Sequence, residues 1–143
     1  MKSKKAKKNK TKKDYLVFIS HSAEDRWIAR QMAKLIEAKG RKYGVRAFLD
    51  EKDIEGGQSI AEVIFKNLKE CDEFVVLLSP DSINRPWVLV EIGGALLLDK
   101  FIVAIIHKVT PKKMPEVAIQ FKAVDLNDFD LYLEQLLKRA KGG

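Results

Sequence analysis

The sequence predicts a doubly wound α/β sandwich, and three observations carry that prediction. Five short apolar runs alternate with helical patterns at intervals of roughly 25–30 residues. The runs are continuously hydrophobic rather than alternating, which suits strands covered on both faces of a parallel sheet. The segments between them carry helix-start and helix-stop residues in the right places.

Tyr15–Ser20 is the first strand. Ser22 can cap the helix that follows, in which Ile28, Met32, Leu35 and Ile36 recur at helical spacing and Gly40 stands just past the end. Val45–Asp50 is the second strand. Ser59-Ile-Ala-Glu62 is a capping box, opening a helix with Val63, Ile64, Leu68 and Cys71 inward. Phe74–Ser79 is the third strand. Pro86 belongs in the first turn of the next helix, which Asp99-Lys100 closes. From Trp87 to Leu98 its only polar side chain is Glu91, so this helix is expected to be buried all round. Phe101–His107 and the weaker run Ala123–Leu126 complete the sheet. Thr110–Gln120, with Pro111 and Pro115, reads as loop with one helical turn. Asn127 or Asp128 starts a last helix that buries Leu133, Leu136 and Leu137.

Composition bounds the function. With 143 residues, 46% hydrophobic and 33% charged, the chain is expected to form one globular domain over 14–140. The formal charge of +7 is local: eight lysines fall within residues 1–13, which carry no acid, and the remainder holds 19 basic and 20 acidic residues. Residues 1–13 are expected to be a disordered, solvated tail. A nucleic-acid or anionic-membrane arm is disfavoured, since no aromatic is present to stack on bases. Cys71 is the single cysteine, which excludes an internal disulfide and a cysteine-cluster zinc site and fits a reducing cytoplasm. No apolar run approaches the roughly 18 residues of a membrane span, and no apolar stretch follows the lysines to make a signal peptide.

In a doubly wound fold, ligands collect beyond the carboxyl ends of the strands. That rule selects the loops Ser20–Arg26, Asp50–Ser59 and Ser79–Trp87. The first joins a strand to a helix start, where hydroxyls, backbone N–H groups and Arg26 can hold a diphosphate; ordinary capping by Ser22 accounts for it equally well. In the second, Gly56-Gly57 lets the backbone turn and Ile54 is an apolar residue among charges, suited to a partner chain. The third leads into Glu91. A carboxylate in so apolar a helix must be paired, protonated or reserved for a ligand. Trp87 lies one turn earlier on the same face, so an aromatic plane and an isolated acid together suit a flat cationic ring. Taken singly, Glu91 could be ion-paired with Arg85, Lys100 or a loop lysine, and Trp87 could be a core anchor. No GxGxxG or GxxxxGK occurs. His21 and His107 suggest no Ser-His-acid triad. Asp50 and Asp53 do not stand where a receiver domain places its acids; those positions hold Ser20 and Ser79.

Three segments together resemble the TIR (Toll/interleukin-1 receptor) family in its bacterial form, over Asp14 to about Leu137. Asp14-Tyr-Leu-Val-Phe-Ile-Ser-His-Ser-Ala-Glu-Asp25 matches its first strand and loop. Phe48-Leu-Asp50 through Asp53-Ile-Glu-Gly-Gly-Gln-Ser-Ile60 matches its second strand and BB loop. Ser79-Pro through Trp87-Val-Leu-Val-Glu-Ile92 matches its catalytic segment. The resemblance implies a flavodoxin-like three-layer sandwich whose five parallel strands run in the order 2-1-3-4-5. It also implies one of two activities: cleavage of NAD+ or non-enzymatic scaffolding by TIR–TIR contact, in bacterial immunity, antiphage defence or signalling. Glu91 stands at the glutamate that marks cleaving members. The ligand-contacting set is then Trp87, Ser20, His21, Ser22, Arg26, Asp50 and Ser82, with NAD+ as substrate, no resident cofactor and no metal. The family further implies a pocket completed by a neighbour's BB loop, here Glu51–Ser59. No sensor is visible in the 143 residues, so the on-switch is expected in a separate sensor or effector protein or in a further portion of a longer chain. Two positions depart from the pattern. Gly56 replaces the proline usual before the loop glycine, and Arg85 replaces a common serine.

Cleaving the nicotinamide–ribose bond fits a single acid. The leaving group is already cationic and needs no proton donor, unlike the leaving oxygen of an ordinary glycoside. Glu91 would stabilise an oxocarbenium-like ribose and Trp87 would stack on a ring. Attack by water would yield ADP-ribose, and attack by a purine nitrogen a cyclic ADP-ribose.

Overall fold

A computed structural model describes residues 14–50 and 59–142. Five strands, β1 (Tyr15–Ser20), β2 (Val45–Leu49), β3 (Glu73–Leu78), β4 (Phe101–Ile106) and β5 (Ala123–Asp125), form one parallel sheet in the order 2-1-3-4-5. The helices are α1 (Arg26–Gly40), α2 (Ile60–Glu70), α3 (Pro86–Leu97) and α4 (Phe129–Gly142). The expected flavodoxin-like sandwich is therefore the observed one. Residues 1–13 and most of Glu51–Ser59, Ile54 included, lie outside the described residues.

The run-on hydrophobicity of the strands has its cause in two cores, one on each side of the sheet. Phe18, Phe74, Val76, Leu78 and Ala104 point toward α2 and α3, where Ile64, Leu68, Val88 and Ile92 meet them. Val17, Ile19, Val75, Leu77 and Ile105 point the other way, toward Ala29, Met32 and Ile36 of α1 and Tyr132, Leu133 and Leu136 of α4. Alternate residues of one strand thus serve opposite faces, and both faces are apolar. Phe18 pairs in register with Phe48 on β2 and Phe74 on β3, with ring centroids 5.2 and 5.5 Å away.

Several local expectations are corrected. Ser22 does not cap α1; it heads a single 3-10 turn, Ala23–Asp25, and its hydroxyl donates to Asp25 instead. Leu35 faces solvent, and Ala29 takes the inward place. Gly40 is the last residue of α1 rather than the one after it. A Cβ there would stand 2.4 Å from Val45 Cγ2, so the helix end lies directly on β2. Ser59 does cap α2, accepting from the Glu62 amide at 3.2 Å. The segment 110–120 makes two 3-10 turns rather than one. Asp125 caps a further 3-10 turn, Leu126–Asp128, and α4 begins only at Phe129.

The largest correction concerns α3. Val88, Glu91, Ile92 and Ala95 are buried, but Val90, Leu97 and Leu98 face outward, Leu97 with 88% of its surface exposed. An outer-layer helix of a three-layer sandwich covers the sheet with one face only. The sequence carries no polar residues on the other face, so an apolar stripe is left open.

Opposite the ligand edge, the buried Glu73 at the start of β3 gathers a polar network. Tyr15 donates to it at 2.8 Å, Tyr132 donates too, and Arg139 of α4 binds both carboxylate oxygens at 2.9 and 3.0 Å. Arg139 also stacks on Phe101, 4.3 Å from the ring centroid. Burial, then the Glu73 charge, pushes both tyrosine hydroxyls well above their ordinary pKa. No described helix is long and apolar enough to cross a membrane.

Candidate active site

The strand order reverses between β1 and β3, and the loops leaving those two strands diverge to open a crevice. A cleft of about 100 Å³ lies there, lined by His21, Ser22, Ala23, Arg26, Asp50, Arg85, Trp87 and Val88. Small-molecule pockets run from roughly 300 Å³ upward, so this cleft has room for only one end of a ligand of that size.

Glu91 lies behind it, fully buried. Its Oε1 accepts a 2.6 Å hydrogen bond from the Ser20 hydroxyl at the end of β1. Among the described residues its Oε2 has no hydrogen bond of ordinary geometry. Of the cations that could have paired it, the loop lysine, Lys52, lies outside the described residues, and the other two act elsewhere. Arg85 holds Glu24 at 2.6 Å, and Lys100 donates to the carbonyls of Lys69 and Cys71 at the C-terminal end of α2. Burial is the chief reason that the Glu91 carboxyl is pushed far above the usual carboxylate range. The neighbouring Asp50 carboxyl adds to the rise, while Ser20 and the Trp87 indole oppose it. Two acids thus face one small space that offers room for little more than one negative charge. A cationic ring entering there would favour the ionised form of Glu91, whose proton passes to solvent, and would be held by the carboxylate that remains.

Trp87, in the first turn of α3, is 38% exposed. Its ring leans on Phe65 of α2, with centroids 5.8 Å apart, which holds one wall of the cleft. Cys71 offers no nucleophile: it is buried, and burial pushes its thiol up to about 11.

Of the residues singled out in the sequence, His21, Ser22, Arg26, Asp50 and Trp87 line the cleft together. Ser20 lies behind them on Glu91. Ser82 is away from the lining; its hydroxyl donates to the Leu77 carbonyl and accepts from the Ser79 amide, which shapes the third loop. A clamp that the sequence reading missed joins the first and third loops. The buried Asp25 carboxylate accepts from both Ser22 and Ser79, and the Ser79 oxygen in turn accepts the amides of Asp81 and Ser82. Asp25 and Ser79 are 54 positions apart, so no local pattern announces them. Arg85, read in the sequence as a possible partner of Glu91 and as a departure at a ligand-contact position, pairs instead with Glu24 across the same two loops.

Comparison with known proteins agrees with the fold and with the order of the motifs. The family model described as "TIR domain" matches residues 17–137. The 2' cyclic ADP-D-ribose synthase AbTIR of Acinetobacter baumannii is 30% identical over 105 residues, which is 70% of this chain and 38% of that protein. The 2' cyclic ADP-D-ribose synthase BtTIR of Bacteroides thetaiotaomicron is 30% identical over 103 residues, 68% of this chain and 34% of that one. The chain therefore spans little more than a third of the length of either relative. The TIR domain of the Toll-related receptor TRR-2 from Hydra magnipapillata superposes with a TM-score of 0.67 at 20% identity, covering 87% of this chain and 97% of that one. Sheet order, loop motifs and a family match over 17–137 agree: the chain belongs to the TIR domain family.

Proposed function

We propose that this TIR domain cleaves the nicotinamide–ribose bond of NAD+, releasing nicotinamide and ADP-ribose or a cyclic ADP-ribose. The observation that carries the reading is Glu91: fully buried, held on one oxygen by Ser20, with no cation on the other among the described residues and a cleft in front of it. Burying a carboxyl with so little compensation costs stability, and a positively charged ligand offsets that cost. The pyridinium ring enters beside Trp87. Its charge favours ionised Glu91, and the carboxylate then stabilises positive charge on the ribose as the bond breaks. The leaving nicotinamide is neutral and takes no proton. The cyclic ADP-ribose synthases among the relatives are consistent with this chemistry.

Self-association belongs to the same reading. The open apolar stripe of Val90 and Leu97 on α3, with Leu98 just past its end, suits contact between copies. The loop Glu51–Ser59, with Ile54 as its apolar residue, is the segment a neighbour would contribute. We place the activity in the cytoplasm, where NAD+ is available. Incubating concentrated protein with NAD+ and separating the products by chromatography tests the reading. Nicotinamide should appear with ADP-ribose or its cyclic form. Intact NAD+ at high protein concentration would leave a TIR scaffold acting by homotypic contact as the function.

A further inference from the structure

The cleft is polarised. Asp50 and, behind it, Glu91 make its inner end acidic, whereas Arg26 and Arg85 stand among the lining residues on its two flanking loops. An inner end that attracts a cation and two arginines beside it match a ligand that is cationic at one end and doubly anionic in the middle. Arg26 alone would balance one charge of a diphosphate. Arg85 supplies the second, and the structure shows how it is kept ready. Its Nε donates to the Asp81 carbonyl at 3.2 Å, which fixes the base of the guanidinium, while one Nη holds the Glu24 carboxylate at 2.6 Å. Both members of that ion pair are about half exposed. Exposed pairs of this kind contribute little and exchange readily. A guanidinium anchored at Nε still presents its Nη edge in the fork geometry that phosphate oxygens accept.

We propose that Arg85 is a substrate-selecting residue: it exchanges Glu24 for the diphosphate of the incoming dinucleotide, so that the site selects nicotinamide dinucleotides over nicotinamide riboside. The inference rests on the NAD+ reading for its substrate class, but its test does not depend on turnover. ADP-ribose, nicotinamide riboside and nicotinamide are titrated calorimetrically into the wild type, Arg85→Ala, Arg85→Lys, Glu24→Gln and the double variant Glu24→Gln/Arg85→Ala. Arg85→Ala should weaken ADP-ribose by about tenfold or more, as loss of a charge-assisted pair does, and leave nicotinamide and its riboside as they were. Arg85→Lys should fall between, because an ammonium offers charge without the fork. Glu24→Gln should tighten ADP-ribose, and the double variant should match Arg85→Ala, because Glu24 acts only through Arg85. Melting temperatures equal to the wild type would show that the exposed substitutions leave the fold intact. Unchanged ADP-ribose affinity in Arg85→Ala, or an equal loss for nicotinamide riboside, would overturn the proposal. Absence of NAD+ cleavage in the wild type would sink the enzymatic reading and leave this binding comparison to decide on Arg85 alone.

Discussion

Replacing Glu91 with glutamine should change how stability depends on pH, and the direction follows from the site. In the unfolded chain this carboxyl titrates near the ordinary glutamate value; in the folded protein burial and Asp50 push it far higher. Between those two values the native state holds a proton that the unfolded state has lost, so stability falls as pH rises. The slope for one such group is about 1.4 kcal/mol per pH unit. Glutamine keeps the shape and does not ionise, so the variant lacks that slope. From pH 5.5 to 7.5 the advantage of Glu91→Gln over the wild type should therefore grow by roughly 3 kcal/mol. For a domain of this size that corresponds to roughly 9 °C in Tm. Thermal unfolding of both proteins by circular dichroism across that range is the assay. A constant difference would mean that the folded protein does not hold the proton. That result would place an ionised Glu91 in the native state, against the account of how burial and Asp50 act on it.

Two further predictions concern the opposite edge and assembly. Glu73→Ala leaves the Arg139 guanidinium and two tyrosine hydroxyls without their shared acceptor; chemical denaturation should show a loss of about 3–5 kcal/mol, and a loss below 1 kcal/mol would refute the structural weight given to the network. Ile54→Asp should suppress self-association and NAD+ turnover together while leaving dilute protein folded, and wild-type specific activity should rise with protein concentration; flat specific activity, with the variant indistinguishable from the parent, would rule out a pocket shared between copies.

Those predictions draw unequally on the sequence and on the three-dimensional arrangement. The strands were legible because burial on both faces leaves a continuous apolar run, and each was placed to within a residue or so at its ends. Glu91 was legible because a lone acid in an apolar helix contradicts its surroundings. The helix surfaces were harder. α3 lacks a polar face, so periodicity could not tell full burial from an exposed apolar stripe, and Leu35 of α1 fits the helical spacing yet points outward. Short polar side chains at loop heads were hardest. Ser22 could cap a helix or donate to Asp25, and only the approach of Ser79 from another strand shows which. Arg85 likewise read as a partner for Glu91 until the fold placed Glu24 beside it.

The central claim is that Glu91 drives cleavage of NAD+, and nicotinamide release by wild type and Glu91→Gln at equal concentrations of folded protein tests it most directly. The wild type should release nicotinamide, with ADP-ribose or its cyclic form as co-product, and the variant should release none above a protein-free blank although it unfolds at the same temperature as the wild type or higher. Release by Glu91→Gln at the wild-type rate would contradict the claim.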